Sequence, residues 1–167
     1  MTNTDMIYNV IPIVFPLFIN NDYAIKRMLK LGNYDLVDND VIPSHFVPKQ
    51  WTDLLSDSDY EVTLKLISFN TETTPQNSLA WISGIGFKSA NIRETLTFGA
   101  QYPNEQKNSL IVSPDANLRI MRSFYSLALG NERSFGLQDE SKPQRVLGFI
   151  HNFHKLPAGT KFLVVPK

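Results

Sequence analysis

No cysteine occurs among the 167 residues, so nothing covalent staples this fold. That one fact excludes disulfide frameworks, thiolate zinc sites, iron–sulfur clusters and a cysteine nucleophile together. Stability has to come from packing alone, and the chain has the means for it. Apolar residues make up 43% and aromatic residues 11% of the sequence, and a chain of this length buries ~70% of its unfolded surface. Disordered chains are poor in aromatics and carry high net charge. Here 16 basic residues balance 16 acidic ones, so no whole-molecule attraction to a polyanion is expected. The length suits a single domain spanning residues 1–167. No linker, repeat or low-complexity tract divides it.

The most apolar stretch runs from Ile7 to Ile19. It falls short of the roughly 20 apolar residues a membrane span needs, and Pro12 and Pro16 interrupt it. It also lacks a preceding basic residue and a small-residue cleavage site, so it fits a signal peptide poorly. The reading is a buried strand with a bend, in a protein that meets no membrane. A cytoplasmic location follows, or a host cytoplasm or virion for a viral chain.

Local signals sketch the remaining elements. Asn20-Asn21-Asp22 can cap a helix over residues 23–31, with Gly32 after it. Residues 33–59 are rich in turn formers and acids, with one short helical turn expected at Trp51 to Leu55. Residues 61–69 alternate as a strand should. Residues 78–87 and 92–98 read as two further strands, and 145–153 and 161–165 as a C-terminal pair joined through Pro157-Ala158-Gly159-Thr160. Residues 131–143 read as a polar loop. Ser113-Pro114-Asp115 supplies an N-cap, a first-turn proline and an acid. Leu118, Met121, Phe124, Tyr125 and Leu129 follow at helical spacing, which predicts a packed helix over 114–129 with Phe124 buried. The sum is an α+β fold: a single domain with a mostly antiparallel sheet and one or two packed helices.

Charge is distributed unevenly. Residues 1–115 carry 8 basic and 13 acidic side chains, and residues 116–167 carry 8 basic and 3 acidic ones. The acids Asp35, Asp38, Asp40, Asp53, Asp57 and Asp59 form a candidate acidic interaction surface. Arg119, Arg122, Arg133, Arg145 and Lys155 stand among Phe124, Tyr125, Phe135, Phe149 and Phe153. Cations interleaved with rings can hold single-stranded nucleic acid, because arginine meets phosphate and rings stack on bases. Two other readings compete: the charged halves neutralise each other inside one fold, or they meet between molecules.

Motifs for catalysis fail on spacing. Gly84-Ile85-Gly86-Phe87-Lys88-Ser89 lacks the G-x-x-x-x-G-K-[ST] pattern of a phosphate loop. His151 and His154 are three apart, but on a strand they would face opposite sides, and His45 lies in the acidic segment. No G-x-S-x-G elbow marks a nucleophilic serine. No catalytic residue, metal ligand or cofactor is therefore assigned. The leading expectation is a non-enzymatic binding or structural protein acting through protein–protein contacts or self-association, of the kind common among phage, viral and mobile-element chains. The alternative is a nucleic-acid-binding accessory protein that uses the basic, aromatic C-terminal third. A third reading is a small hydrolase-type enzyme with a His/Asp site.

Overall fold

A computed structural model describes residues 7–19, 25–46, 59–137 and 145–167. Within them nine strands and three helices form a mostly antiparallel mixed sheet with helices on both faces, an α+β domain. The strands are β1 (Tyr8–Val10), β2 (Phe15–Ile19), β3 (Leu36–Val37), β4 (Tyr60–Phe69), β5 (Phe87–Ser89), β6 (Ile111–Ile120), β7 (Ser123–Asn131), β8 (Arg145–His151) and β9 (Lys161–Pro166). The helices are α1 (Ile25–Leu31), α2 (Pro75–Gly84) and α3 (Ile92–Gln101). Strand order is β1-β4-β9-β6-β7-β8-β3; β2 also pairs with β4, and β5 with β9. Among the described strands only β6–β9 and β3–β8 run parallel.

Residues of β9 alternate between two buried layers. Leu163 and Val165 face a core closed by α1 and α3, while Phe162 and Val164 face a second core closed by α2. A strand covered on both sides reads as an unbroken apolar run, which is why residues 161–165 announced themselves so clearly. The alternation expected at 61–69 corresponds to β4, whose Leu64 and Leu66 join the first core and Ile67 and Phe69 the second.

Two of the expected strands are helices. Residues 78–87 fall largely within α2, and 92–98 lie within α3. The cause is capping. Thr74 accepts a hydrogen bond from the Asn77 amide at 3.1 Å, with Pro75 following as a first-turn proline. Asn91 and Glu94 form a reciprocal capping box at 2.9 and 2.8 Å. Satisfying otherwise orphaned first-turn donors outweighs the apolar, β-leaning composition of both segments.

The expected helix over 114–129 is instead the β6–β7 hairpin. Ser113-Pro114-Asp115 forms no cap. It opens a bulge between Ser113 and Asn117, where a proline's missing N–H costs no ladder bond. The Ser113 hydroxyl lies in the interior, hydrogen-bonded to Thr95 of α3 at 2.8 Å. Met121 turns the hairpin with a left-handed φ of 55° and is 93% exposed. Phe124 is 47% exposed, not buried. A left-handed non-glycine residue costs roughly 1–2 kcal/mol, whereas glycine inside a helix costs ~1 kcal/mol. Met121→Gly should therefore leave the melting temperature unchanged or raise it. A fall would restore the helical reading.

The C-terminal strand expected over 145–153 ends at His151, because the chain turns there: the His154 amide donates to the His151 carbonyl at 2.8 Å. The polar loop expected at 131–143 opens with a single turn of 3-10 helix over Glu132–Phe135. The short helical turn at Trp51 to Leu55 and the cap at Asn20-Asn21-Asp22 lie outside the described residues.

Candidate protein-interaction surface

The N-terminal apolar stretch is two strands, not one. Both lie antiparallel against the same edge of β4, and the chain bends between them near Pro12. Only β2 fits the buried reading, and only on alternate residues: Phe15, Leu17 and Ile19 enter the core while Pro16 and Phe18 stay outside. All of β1 is exposed. Thirteen large apolar side chains are exposed among the described residues. Six of them, Ile7, Tyr8, Val10, Ile13, Val14 and Phe18, come from this one stretch. Contiguous exposed apolar surface marks an interaction site far better than scattered single residues do. The signal was present in the sequence, since a proline inside a strand-like run demotes that run to the sheet edge.

The backbone of this edge divides sharply. In an antiparallel pair, residues alternate between bonding to the neighbour and pointing away from it. The Ile11 amide donates to the Leu66 carbonyl at 2.9 Å, and the Asn70 amide to the Ile7 carbonyl at 3.0 Å. Ile7, Asn9 and Ile11 therefore face β4, and the N–H and C=O groups of Tyr8 and Val10 point outward. No described strand takes them. Along β2 the outward residue Pro16 has no N–H, and its carbonyl accepts from the Tyr102 hydroxyl at 2.7 Å. Pro16 therefore offers an incoming strand neither a donor nor a free carbonyl, whereas among the described residues no strand pairs with the outward groups of Tyr8 and Val10. Beside β2 lies a cleft of about 430 Å³ between Phe18, Met28, Leu31, Leu96 and Ala100.

Among the described residues, part of the acidic set lies beside the basic half. Asp35 and Asp38 flank β3, which pairs with β8 of the basic half. The Asp35 carboxylate accepts from the Arg145 amide at 2.6 Å, and the Asp38 carboxylate from the Asp40 amide at 2.9 Å. Asp59 is exposed just before β4, while Asp53 and Asp57 lie outside the described residues. Of the basic set, Arg119 and Arg122 share the hairpin end, with Arg119 5.8 Å above the Phe124 ring. Arg133 follows the far end of β7. Lys155 is paired with Glu72 at 3.1 Å. Arg145 turns inward: it donates to the Gly32, Asn33 and Gly99 carbonyls at 2.9, 3.1 and 2.6 Å, and its guanidinium lies 5.0 Å from the Tyr34 ring.

Among the described residues, Glu94, Tyr60 and His45 are held in structural hydrogen bonds. Burial raises the Glu94 carboxyl above its ordinary range, opposed by the hydrogen bond from the Asn91 amide. Tyr60 is pushed up to about 12, chiefly by burial and then by the Glu94 charge. Its hydroxyl lies 3.2 Å from Glu94 and 3.3 Å from the Asn91 amide nitrogen. This cluster serves the start of α3. His45 holds the Asp40 carbonyl through Nδ1 at 2.7 Å, while His151 and His154 stand at the end of β8. Among the described residues no three His, Asp or Glu side chains gather as a metal site would require, and no helix is long and apolar enough to cross a membrane. No protein family, curated protein or solved structure matches this chain.

Proposed function

We propose that this chain is a non-enzymatic protein-binding domain that engages its partner by strand addition at the β1 edge, with the apolar side chains around it as the contact surface. The observation that carries the reading is the coincidence of two independent features in one place. The outward N–H and C=O groups of Tyr8 and Val10 offer a template for main-chain pairing. The exposed side chains of Ile7, Tyr8, Val10 and Ile13 supply apolar area beside them. In strand addition the main-chain bonds give affinity and the alternate side chains give selectivity.

The rest of the sheet supports this choice by contrast. At the opposite edge β3 is two residues long and flanked by Asp35 and Asp38, the ordinary ways of discouraging edge pairing. Ile7 to Ile19 carries no charge. Binding here should hold or strengthen as salt rises, because the contact is apolar and main-chain rather than ionic.

Panning a library of displayed extended peptides over the protein tests the reading. Apolar, β-branched sequences should be recovered, and the double variant Tyr8→Lys with Val10→Lys should bind them at least ~10-fold more weakly, a loss of ~1.4 kcal/mol. Equal binding by that variant, or no selection by the unaltered protein, would overturn it.

A further inference from the structure

We infer that the partner of the β1 edge is a second copy of this chain, paired antiparallel through β1 about a two-fold axis at Asn9; this rests on the edge being the interaction surface. Register decides it. Only Tyr8 and Val10 direct both main-chain groups outward along β1. Antiparallel partners exchange two hydrogen bonds only where outward residues stand opposite each other. Centring the pair on Asn9 sets Tyr8 opposite Val10 of the second copy and Val10 opposite its Tyr8, so four main-chain bonds form. Moving the centre to Val10 places Tyr8 opposite Pro12, which has no donor.

Side chains match in the same register. On one face the Tyr8 ring meets Val10 of the second copy, twice by symmetry, and aromatic with β-branched is a favourable cross-strand pair. On the other face Ile7 meets Ile11, and Ile7 is 61% exposed in the single chain. No charge lies between Ile7 and Ile19, so two copies approach without repulsion. The same patch serves both molecules, as a two-fold interface requires. Next to it Pro16 has no N–H and its carbonyl is taken by Tyr102, and β3 at the other end of the sheet is short and flanked by acids. Pairing through β1 about a two-fold axis uses the same edge of both copies and gives a closed dimer with a sheet continuous across it.

Sedimentation and light scattering up to about 100 μM, enough to detect micromolar pairing, should give a mass approaching twice the 19.0 kDa of the chain. The dimer should persist at high salt. Val10→Pro removes an outward donor that β4 does not use, so this variant should match the unaltered protein's melting temperature at concentrations too low for pairing and should sediment as a monomer at high concentration. A monomeric unaltered protein, or an unchanged dimer in the variant, overturns the inference. If Val10→Pro does not fold, hydrogen exchange in the unaltered protein decides instead. The Tyr8 and Val10 amides should slow at least ~10-fold on concentration, reporting their new bonds, and unchanged rates reject the pairing. A monomer that still selects extended peptides through β1 retains strand addition and rejects only the second copy as partner.

Discussion

Arg145→Met is expected to lower the unfolding free energy by about 3–5 kcal/mol, because it removes charge-assisted bonds to three carbonyls and leaves those of the buried Gly32 and Gly99 without this donor. The guanidinium joins three parts of the chain far apart in sequence: Gly32 and Asn33 beyond α1, Gly99 in α3, and β8 itself. It also reaches Gln106 Oε1 at 3.4 Å, and Gln106 in turn donates to the Gly130 and Val146 carbonyls at 3.1 and 3.2 Å. The site is tight. A methyl group at Gly99 would lie 2.1 Å from the Tyr34 hydroxyl, so the ring occupies the space that glycine leaves. Lysine should rescue little, since one ammonium cannot span carbonyls that a rigid fork reaches together. For a chain of this length the loss corresponds to a melting temperature lower by roughly 10 °C. Thermal unfolding of Arg145→Met and Arg145→Lys checks it. An unchanged melting temperature would return Arg145 to the solvent-facing basic set that the sequence suggested.

Arg145 also shows where sequence reasoning stops. Its place among cations and rings in the C-terminal third gave it a nucleic-acid role, and nothing local revealed that β3 would bring Asp35 alongside it. Charge asymmetry along a chain says little until long-range pairing is known. The Asp35 carboxylate meets the main-chain amide of Arg145, while the guanidinium is held by carbonyls of α3 and of the segment after α1.

Elements bounded by local physics were legible. β4 and β9 came from alternation and an unbroken apolar run, and α1 overlaps the expected helix at residues 25–31. The capping signals of α2 and α3 were present at Thr74-Pro75 and Asn91-x-x-Glu94 but lay beside segments rich in β-formers. At 114–129 the apolar spacing satisfied a helix and a hairpin at once. Pairing of Leu118 with Tyr125 and of Ile111 with Leu129 depends on a turn at Met121, for which the sequence carries no glycine or asparagine. The proposed binding edge was not read: residues 7–19 were expected as a buried strand with a bend, although Pro12 and Pro16 are an edge signal, and the outward direction of Tyr8 and Val10 depended on the register with β4.

Phe98→Ala is expected to cost a further about 3–5 kcal/mol, the usual loss for a fully buried phenylalanine. Phe98 is completely buried. Its ring centroid lies 5.1 Å from that of Phe15 in an edge-to-face contact and 5.5 Å from that of Tyr102. Phe15 begins β2, and Tyr102 is the residue that occupies the Pro16 carbonyl. The three rings therefore fasten β2 to α3 and keep the Pro16 carbonyl occupied. Removing the central ring should loosen β2 more than β9, which is buried from both faces. Hydrogen exchange should show amides of β2 opening at lower free energy than those of β9, with the whole domain melting lower. Uniform exchange across β2 and β9 would mean that β2 is held by β4 alone and that the ring cluster has no part in fastening it.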